Sequence, residues 1–110
     1  MNRVRGKFTS CKITRREDLT ADLFKIWLKP LEPFDFKPGQ YCTIGVGGLE
    51  RPYSIVSSPD EKEIELFIEV VPPPEGNLTP ILHELDIGAE LTLRPRAKGR
   101  ASGIKKPYSN

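Results

Sequence analysis

The run "EIELFIEVV", Glu63 to Val71, alternates apolar and charged residues with a period of two. Ile64, Leu66, Ile68 and Val70 fall on one face, and Glu63, Glu65 and Glu69 on the other, with Phe67 among them. A helix would scatter these residues around its axis, whereas a strand sends alternate side chains to opposite faces. The segment therefore reads as a half-buried strand, and much of the chain reads the same way. "LFKIWLK" sets Phe24, Ile26 and Leu28 against Leu23, Lys25, Trp27 and Lys29. "QYCTIGV", "RPYSIVS" and the short "ELTLR" are further strands, and Lys7 to Thr14 a first one. Turn residues part them: Pro30, Pro33, "KPG" at Lys37 to Gly39, "GG" at Gly47 and Gly48, and "SPD" at Ser58 to Asp60. Six short strands with frequent turns predict an all-β fold, a small antiparallel barrel or sandwich.

One segment departs from period two. "GNLTPILHEL", Gly76 to Leu85, offers Leu78, Ile81, Leu82 and Leu85 at helical spacing, with Gly88 beyond the end. Thr79 before Pro80 predicts the start of this helix, the threonine capping an orphan N–H and the proline taking the first helical position. A single short helix is thus expected between the fifth and sixth strands. "VPPPEG" ahead of it is a stiff connector.

With 110 residues, the chain has room for one domain and one modest core. A net charge of +2 names no partner. Basic residues crowd both ends, from Arg3 to Arg16 and from Arg94 to Lys106, around an acidic middle. They read as solvated surface, since a nucleic-acid-binding barrel would interleave them with aromatics on one face. Cys11 and Cys42 have no metal-ligand spacing and read as reduced, apolar strand residues. No apolar run is long enough for a membrane span, and the basic N-terminus has no apolar stretch behind it for a secretory signal. The expectation is a cytoplasmic protein with no metal, no nucleic acid and no membrane partner. His83, the one histidine, reads as a solvated helix residue and Trp27 as a barrel residue.

"ERPYSIVSSPD", Glu50 to Asp60, carries the chemistry. On a strand, Arg51 and Tyr53 share a face. A guanidinium can grip a phosphate through two parallel hydrogen bonds, and a phenol one strand-step away can stack on a flat heterocycle. Ser54 is a short donor and acceptor beside them. Alone this is a weak signal, since Arg-x-Tyr arises by chance in many sheets. The "GNLTP" helix start adds a second anion-binding device, with Gly76 allowing close approach to the backbone.

"GQY" at Gly39 to Tyr41, then "RPYSIVSSPD", then "GNLTPILHEL" with "IGAEL" and "AKG" behind it, resemble the FAD-binding domain of the ferredoxin–NADP reductase family, especially its bacterial branch. The resemblance runs from about Phe8 to Gly99. It implies a six-stranded antiparallel Greek-key barrel with one short helix between the fifth and sixth strands, over residues 1–99, with 100–110 as an atypical tail. It also implies a bound FAD, favoured over FMN by the pyrophosphate-type helix start. On this resemblance Arg51 pairs with the pyrophosphate and Tyr53 stacks on the isoalloxazine, with Pro52 between them. Ser54 hydrogen-bonds the redox-active ring nitrogen, so Tyr53 and Ser54 are the residues nearest the chemistry. Gly76, Asn77, Leu78 and Thr79 cradle the pyrophosphate, and the backbone at Val70 and Val71 meets the flavin or ribityl edge. The implied activity is an NAD(P)H-dependent oxidoreductase that passes electrons between a nicotinamide nucleotide and a ferredoxin- or flavodoxin-like acceptor.

The family pattern fails after Gly99. Members continue into an α/β domain that binds the nicotinamide nucleotide, whereas this chain reads "RASGIKKPYSN". Arg100 and Ala101 replace the aromatic or aliphatic residue expected there, and no Gly-x-Gly-x-x-Gly is present. The expectation is a lone flavin domain, weak or inactive with NAD(P)H because nothing positions the nicotinamide. Three readings stay open: an oxidoreductase domain completed by another polypeptide, a binding module or inactive fragment without turnover, and, more remote, a small basic β-barrel that binds nucleic acid through its Arg/Lys-rich ends.

Overall fold

A computed structural model describes residues 9–99 of the chain. The elements are β1 (Thr9–Asp18), β2 (Leu23–Pro30), β3 (Tyr41–Val46), β4 (Leu49–Ser54), β5 (Ile64–Glu69), α1 (Leu78–Glu84) and β6 (Glu90–Leu93). All ladders are antiparallel, in the order β4-β3-β6-β1-β2-β5. A bridge between Ile55 and Leu66 joins the two edges, so the six strands form the nearly closed barrel expected, with the helix where expected. No helix among the described residues is long and apolar enough to cross a membrane.

Alternation builds the core. Phe24, Ile26 and Leu28 from β2 and Ile64, Leu66 and Ile68 from β5 are all fully buried, and Cys11, Ile13, Cys42, Ile44, Leu91 and Leu93 join them from the other strands. Leu78 and Leu82, one helical turn apart, close one end of the barrel from α1. Seven residues are too few for a helix to stand alone, so this packing holds α1 in place. Leu85 also packs on the core, but Ile81, expected on the same face, is 38% exposed.

Three local readings are corrected. The first strand does not stop at Thr14 but runs on to Asp18 (Lys7 and Phe8 lie outside the described residues). Thr14 is an extra residue between the pairs Ile13–Leu28 and Arg15–Trp27, and this bulge breaks the alternation that marks the strand in sequence. Secondly, Thr79 is not the helix cap. The cap position is Asn77, no side chain caps the helix, and Pro80 stands inside the first turn. Lacking an N–H, proline is tolerated there as well as at the first position, so the motif marks the start without fixing it. Thirdly, His83 is half-buried, its ring edge-on to Phe24 with centroids 5.3 Å apart.

"RPYSIVS" divides its work between two strands. Up to Ser54 it pairs with β3; beyond Ser54 it crosses to β5, where Val56 N–H donates to Glu65 O at 3.0 Å. Ser57, buried, accepts from the Glu65 N–H at 3.0 Å and completes this seam. Ser58 instead bonds Asp60 within the turn. The serine run is therefore largely structural, and of Ser54, Ser57 and Ser58 only Ser54 has a hydroxyl without a bond among the described residues.

Candidate functional site

β4 contributes no residue to the fully buried set. Tyr53, opposite Cys42 on β3, is half-buried and packs on the edge of the core. Burial pushes its phenol pKa above the ordinary value, with the Arg51 charge offsetting part of the rise. Arg51 is exposed, and its Nη1 donates to the Glu50 carbonyl at 2.6 Å. Among the described residues no carboxylate pairs with its guanidinium. The nearest acid in sequence, Glu50, is engaged elsewhere: its Oε1 accepts from Arg94 Nε at 2.9 Å. Gly45 on β3 makes room for that crossing. A Cβ there would stand 2.9 Å from Glu50 Cγ and 2.7 Å from Thr92 Oγ1. The outcome is a guanidinium with no carboxylate partner among the described residues, beside a half-buried aromatic ring.

The facing wall is the loop from Val71 to the start of α1. Gly76 N–H donates to Pro72 O at 3.1 Å, and a Cβ on Gly76 would lie 2.1 Å from Val71 O. Only glycine fits so close to the backbone. Its tight neighbour is Val71, within the chain itself. Thr79 Oγ1 accepts from Val71 N–H at 2.8 Å and donates to Val71 O at 3.2 Å.

These two segments enclose a hollow of about 230 Å³ lined by Arg51, Pro52, Tyr53, Val71, Glu75, Gly76, Asn77, Leu78 and Thr79. The structure thus brings together most of the residues expected from sequence. Ser54, the strand residue after Tyr53, is exposed and lies outside the lining, as does Val70. Val70 N–H donates to Asp22 O at 2.8 Å, which anchors the end of β5. Glu75 is a lining residue that the sequence reading does not single out. Its position directly before Gly76 is the available signal, and it places a carboxylate on the rim of an otherwise cationic hollow. Among the described residues no group of three or more His, Cys, Asp or Glu side chains could hold a metal ion.

An arginine with no carboxylate partner among the described residues and a half-buried ring on one strand, facing a glycine-tight loop, make a site for a planar ligand with an anionic group. The pattern of the oxidoreductase FAD-binding domain family matches residues 10–100, and the chain belongs to that family. It is 47% identical over 62 residues to an NAD(P)H-flavin reductase of Aliivibrio fischeri, covering 54% of this chain and 26% of that protein. It is 36% identical over 83 residues to the reductase component of propane 2-monooxygenase from Mycolicibacterium goodii, covering 70% and 23%. A solved ferredoxin NADP+ reductase from Neisseria gonorrhoeae, with bound FAD and NADP, matches with a TM-score of 0.79 and 26% identity over 86% of this chain and 39% of that one. The chain spans about a quarter of the length of the curated relatives it matches.

FAD is the cofactor of this domain family, and the residues present fit it. The cation, the ring and the close-set loop converge on one hollow. That hollow is smaller than the ~300–1,000 Å³ usual for a whole cofactor, so it embraces only part of a dinucleotide.

Proposed function

We propose that this chain is the flavin-holding part of an NAD(P)H-dependent oxidoreductase that passes electrons between a nicotinamide nucleotide and a ferredoxin- or flavodoxin-like acceptor. The single observation that carries this reading is the convergence of Arg51 and Tyr53 on β4 with the Gly76–Thr79 loop around one hollow. Arg51 neutralises the pyrophosphate, and Tyr53 offers its ring to the isoalloxazine. Asn77, whose side chain makes no capping bond, is a further donor at the loop. Ser54 lies outside the lining of the hollow, and the reading that its hydroxyl serves the flavin ring edge is carried by the family resemblance and by its place directly after Tyr53. Bound FAD supplies the electron-carrying chemistry, and the protein contributes binding, orientation and electrostatics. The arginine, tyrosine and loop act by holding and shielding.

Gln40 Nε2 donates to Gly99 O at 2.8 Å and Lys98 bridges Tyr41, which ties the segment up to Gly99 to the barrel. The nicotinamide is positioned by a domain or subunit beyond these residues. Two buried, unpaired thiols, Cys11 and Cys42, suit a reducing compartment, and the cytoplasm is the proposed location.

The second reading, a flavin-binding module without turnover, is separated by one experiment. The FAD-loaded chain is reduced with dithionite under anaerobic conditions and mixed with a plant-type ferredoxin or with cytochrome c. Reoxidation that tracks acceptor concentration supports the electron-transfer role. A reduced flavin that stays reduced supports the module instead.

A further inference from the structure

The outer face of β1, β2 and β5 carries a row of side chains that meet across adjacent strands. Arg15 stands opposite Trp27, and Trp27 stands opposite Glu65. The Arg15 guanidinium lies 4.2 Å from the centre of the indole ring, a stack already formed in the lone chain. In the next outward row Lys12 stands opposite Lys29, and Glu63 follows on the β5 side, directly before Ile64. A hollow of about 430 Å³ opens beside Trp27, lined by Arg15, Trp27, Lys29, Glu61, Lys62 and Glu63.

The charges on this face are sorted by strand. The β1 edge presents Lys12 and Arg15, both exposed, until Glu17 ends the basic stretch. The β5 edge presents Glu63 and Glu65. Elsewhere opposite charges pair: Arg16 with Asp18, Lys25 with Glu65, and Arg94 with Glu50. Lys12, Arg15, Lys29 and Glu63 have no ion pair among the described residues. Glu90, on the β6 side of Lys12, does not pair with it. Two lysines set directly opposite each other cost a sheet stability.

An acidic partner would be repelled by the β5 edge, and a basic one by the β1 edge. A second copy of the chain offers both edges in the order required. A two-fold axis parallel to β2, above Trp27, brings each β1 edge against the β5 edge of the other copy, so every ion pair forms twice. The indoles then meet at the centre, flanked by Arg15, and tryptophan and arginine are the side chains most enriched there in interfaces. The β2 lysines lie on the axis and meet their own copies. Lys25 is already neutralised by Glu65 at 3.2 Å, and Lys29 shares the hollow with Glu61 and Glu63.

We propose that this face is a self-association surface, with Lys12 and Arg15 of one copy set against Glu63 and Glu65 of the other around Trp27. A convex face three strands wide falls short of the ~800 Å² per partner of a stable complex, so the dimer is weak, with a Kd on the order of 0.1 mM. The surface involves no residue of the flavin hollow and stands apart from the flavin reading.

Analytical ultracentrifugation of the chain, up to about 1 mM, tests it with charge-reversed variants. Lys12→Glu and Glu63→Lys each turn a pair of attractions into repulsions and are expected to weaken self-association about tenfold. The chain carrying both changes keeps the parent's net charge and should associate as the parent does. Melting curves confirm that each variant is folded. A readout that needs no variant is the emission of Trp27, the single tryptophan, which should shift to the blue as the parent is concentrated. A parent that stays monomeric throughout overturns the proposal. So does a dimer that both single variants leave intact, since it uses another face. A doubly changed chain that does not recover overturns it as well, because the two edges then do not meet.

Discussion

Arg16 Nη1 donates to the carbonyl oxygen of Leu85 at 2.6 Å, joining β1 to the residue that ends α1. The last carbonyls of a helix lack intrahelical partners, and a cation is well placed to satisfy one. The same guanidinium lies 4.8 Å above the Phe24 ring and pairs with Asp18 at 2.8 Å. Arg16→Ala is expected to lower stability by about 2 kcal/mol, read from denaturant unfolding followed by Trp27 fluorescence. Arg16→Lys should recover part of it. Arg16 also holds the Asp18 carboxyl below its ordinary value of 3.8, chiefly through their hydrogen bond. A lowered folded pKa means that Asp18 stabilises above that value and loses its effect as pH falls through the folded pKa. The acid end of the stability profile should therefore flatten in Arg16→Ala.

Cys11 and Cys42 are 1% and 0% exposed, and burial pushes both thiols up to about 12 from 9.0. Above pH 9 the unfolded chain releases these protons while the folded barrel keeps them. The stability they contribute is present below pH 9 and is lost as pH rises towards 12. The urea midpoint should fall across that window, and less steeply in Cys42→Ala relative to its own value at neutral pH. A thiol reagent should find no reactive cysteine in the native barrel and both once it is unfolded.

Much of the fold is legible in the sequence because it depends on period. β2 and β5 alternate without interruption, and their buried residues are those the alternation names. β1 reads short in sequence because its bulge at Thr14 breaks the count. The residues beyond Thr14 are held by pairing with β2 and by Arg16, not by apolar side chains. Arg51 and Tyr53 share a face in any strand, so their partnership can be read locally. Their meeting with Gly76 depends on barrel closure, which no local pattern encodes; the family resemblance supplies it. Thr79 and Glu75 show the limit. Thr-Pro is a general helix-start signal, and the partner Val71 is fixed only by the path of the loop.

Gly76→Ala would set a Cβ 2.1 Å from Val71 O and 2.6 Å from Val71 Cβ. Backbone cannot yield as a flexible side chain does, so the wall must shift. Flavin affinity is expected to fall about tenfold or more, with a smaller effect on melting, because the loop and not the barrel core is displaced. Fluorescence titration with FAD and a melting curve on the same sample separate the two.

Glu75 places a negative charge on the rim of a hollow built to take an anion. Glu75→Gln should tighten FAD binding about threefold at low salt. The difference should shrink as salt is raised, because the carboxylate is exposed. Titrations at two ionic strengths check both the sign and its screening.

If the hollow between β4 and the Gly76–Thr79 loop holds FAD, the purified chain should carry colour. A visible absorption spectrum, taken after loading with FAD and removing the excess by gel filtration, decides it. Flavin bands should stay with the protein at about one flavin per chain, and weaken in Arg51→Ala and in Tyr53→Ala. A chain that leaves the column colourless after saturation with FAD, while still folded, would contradict this assignment.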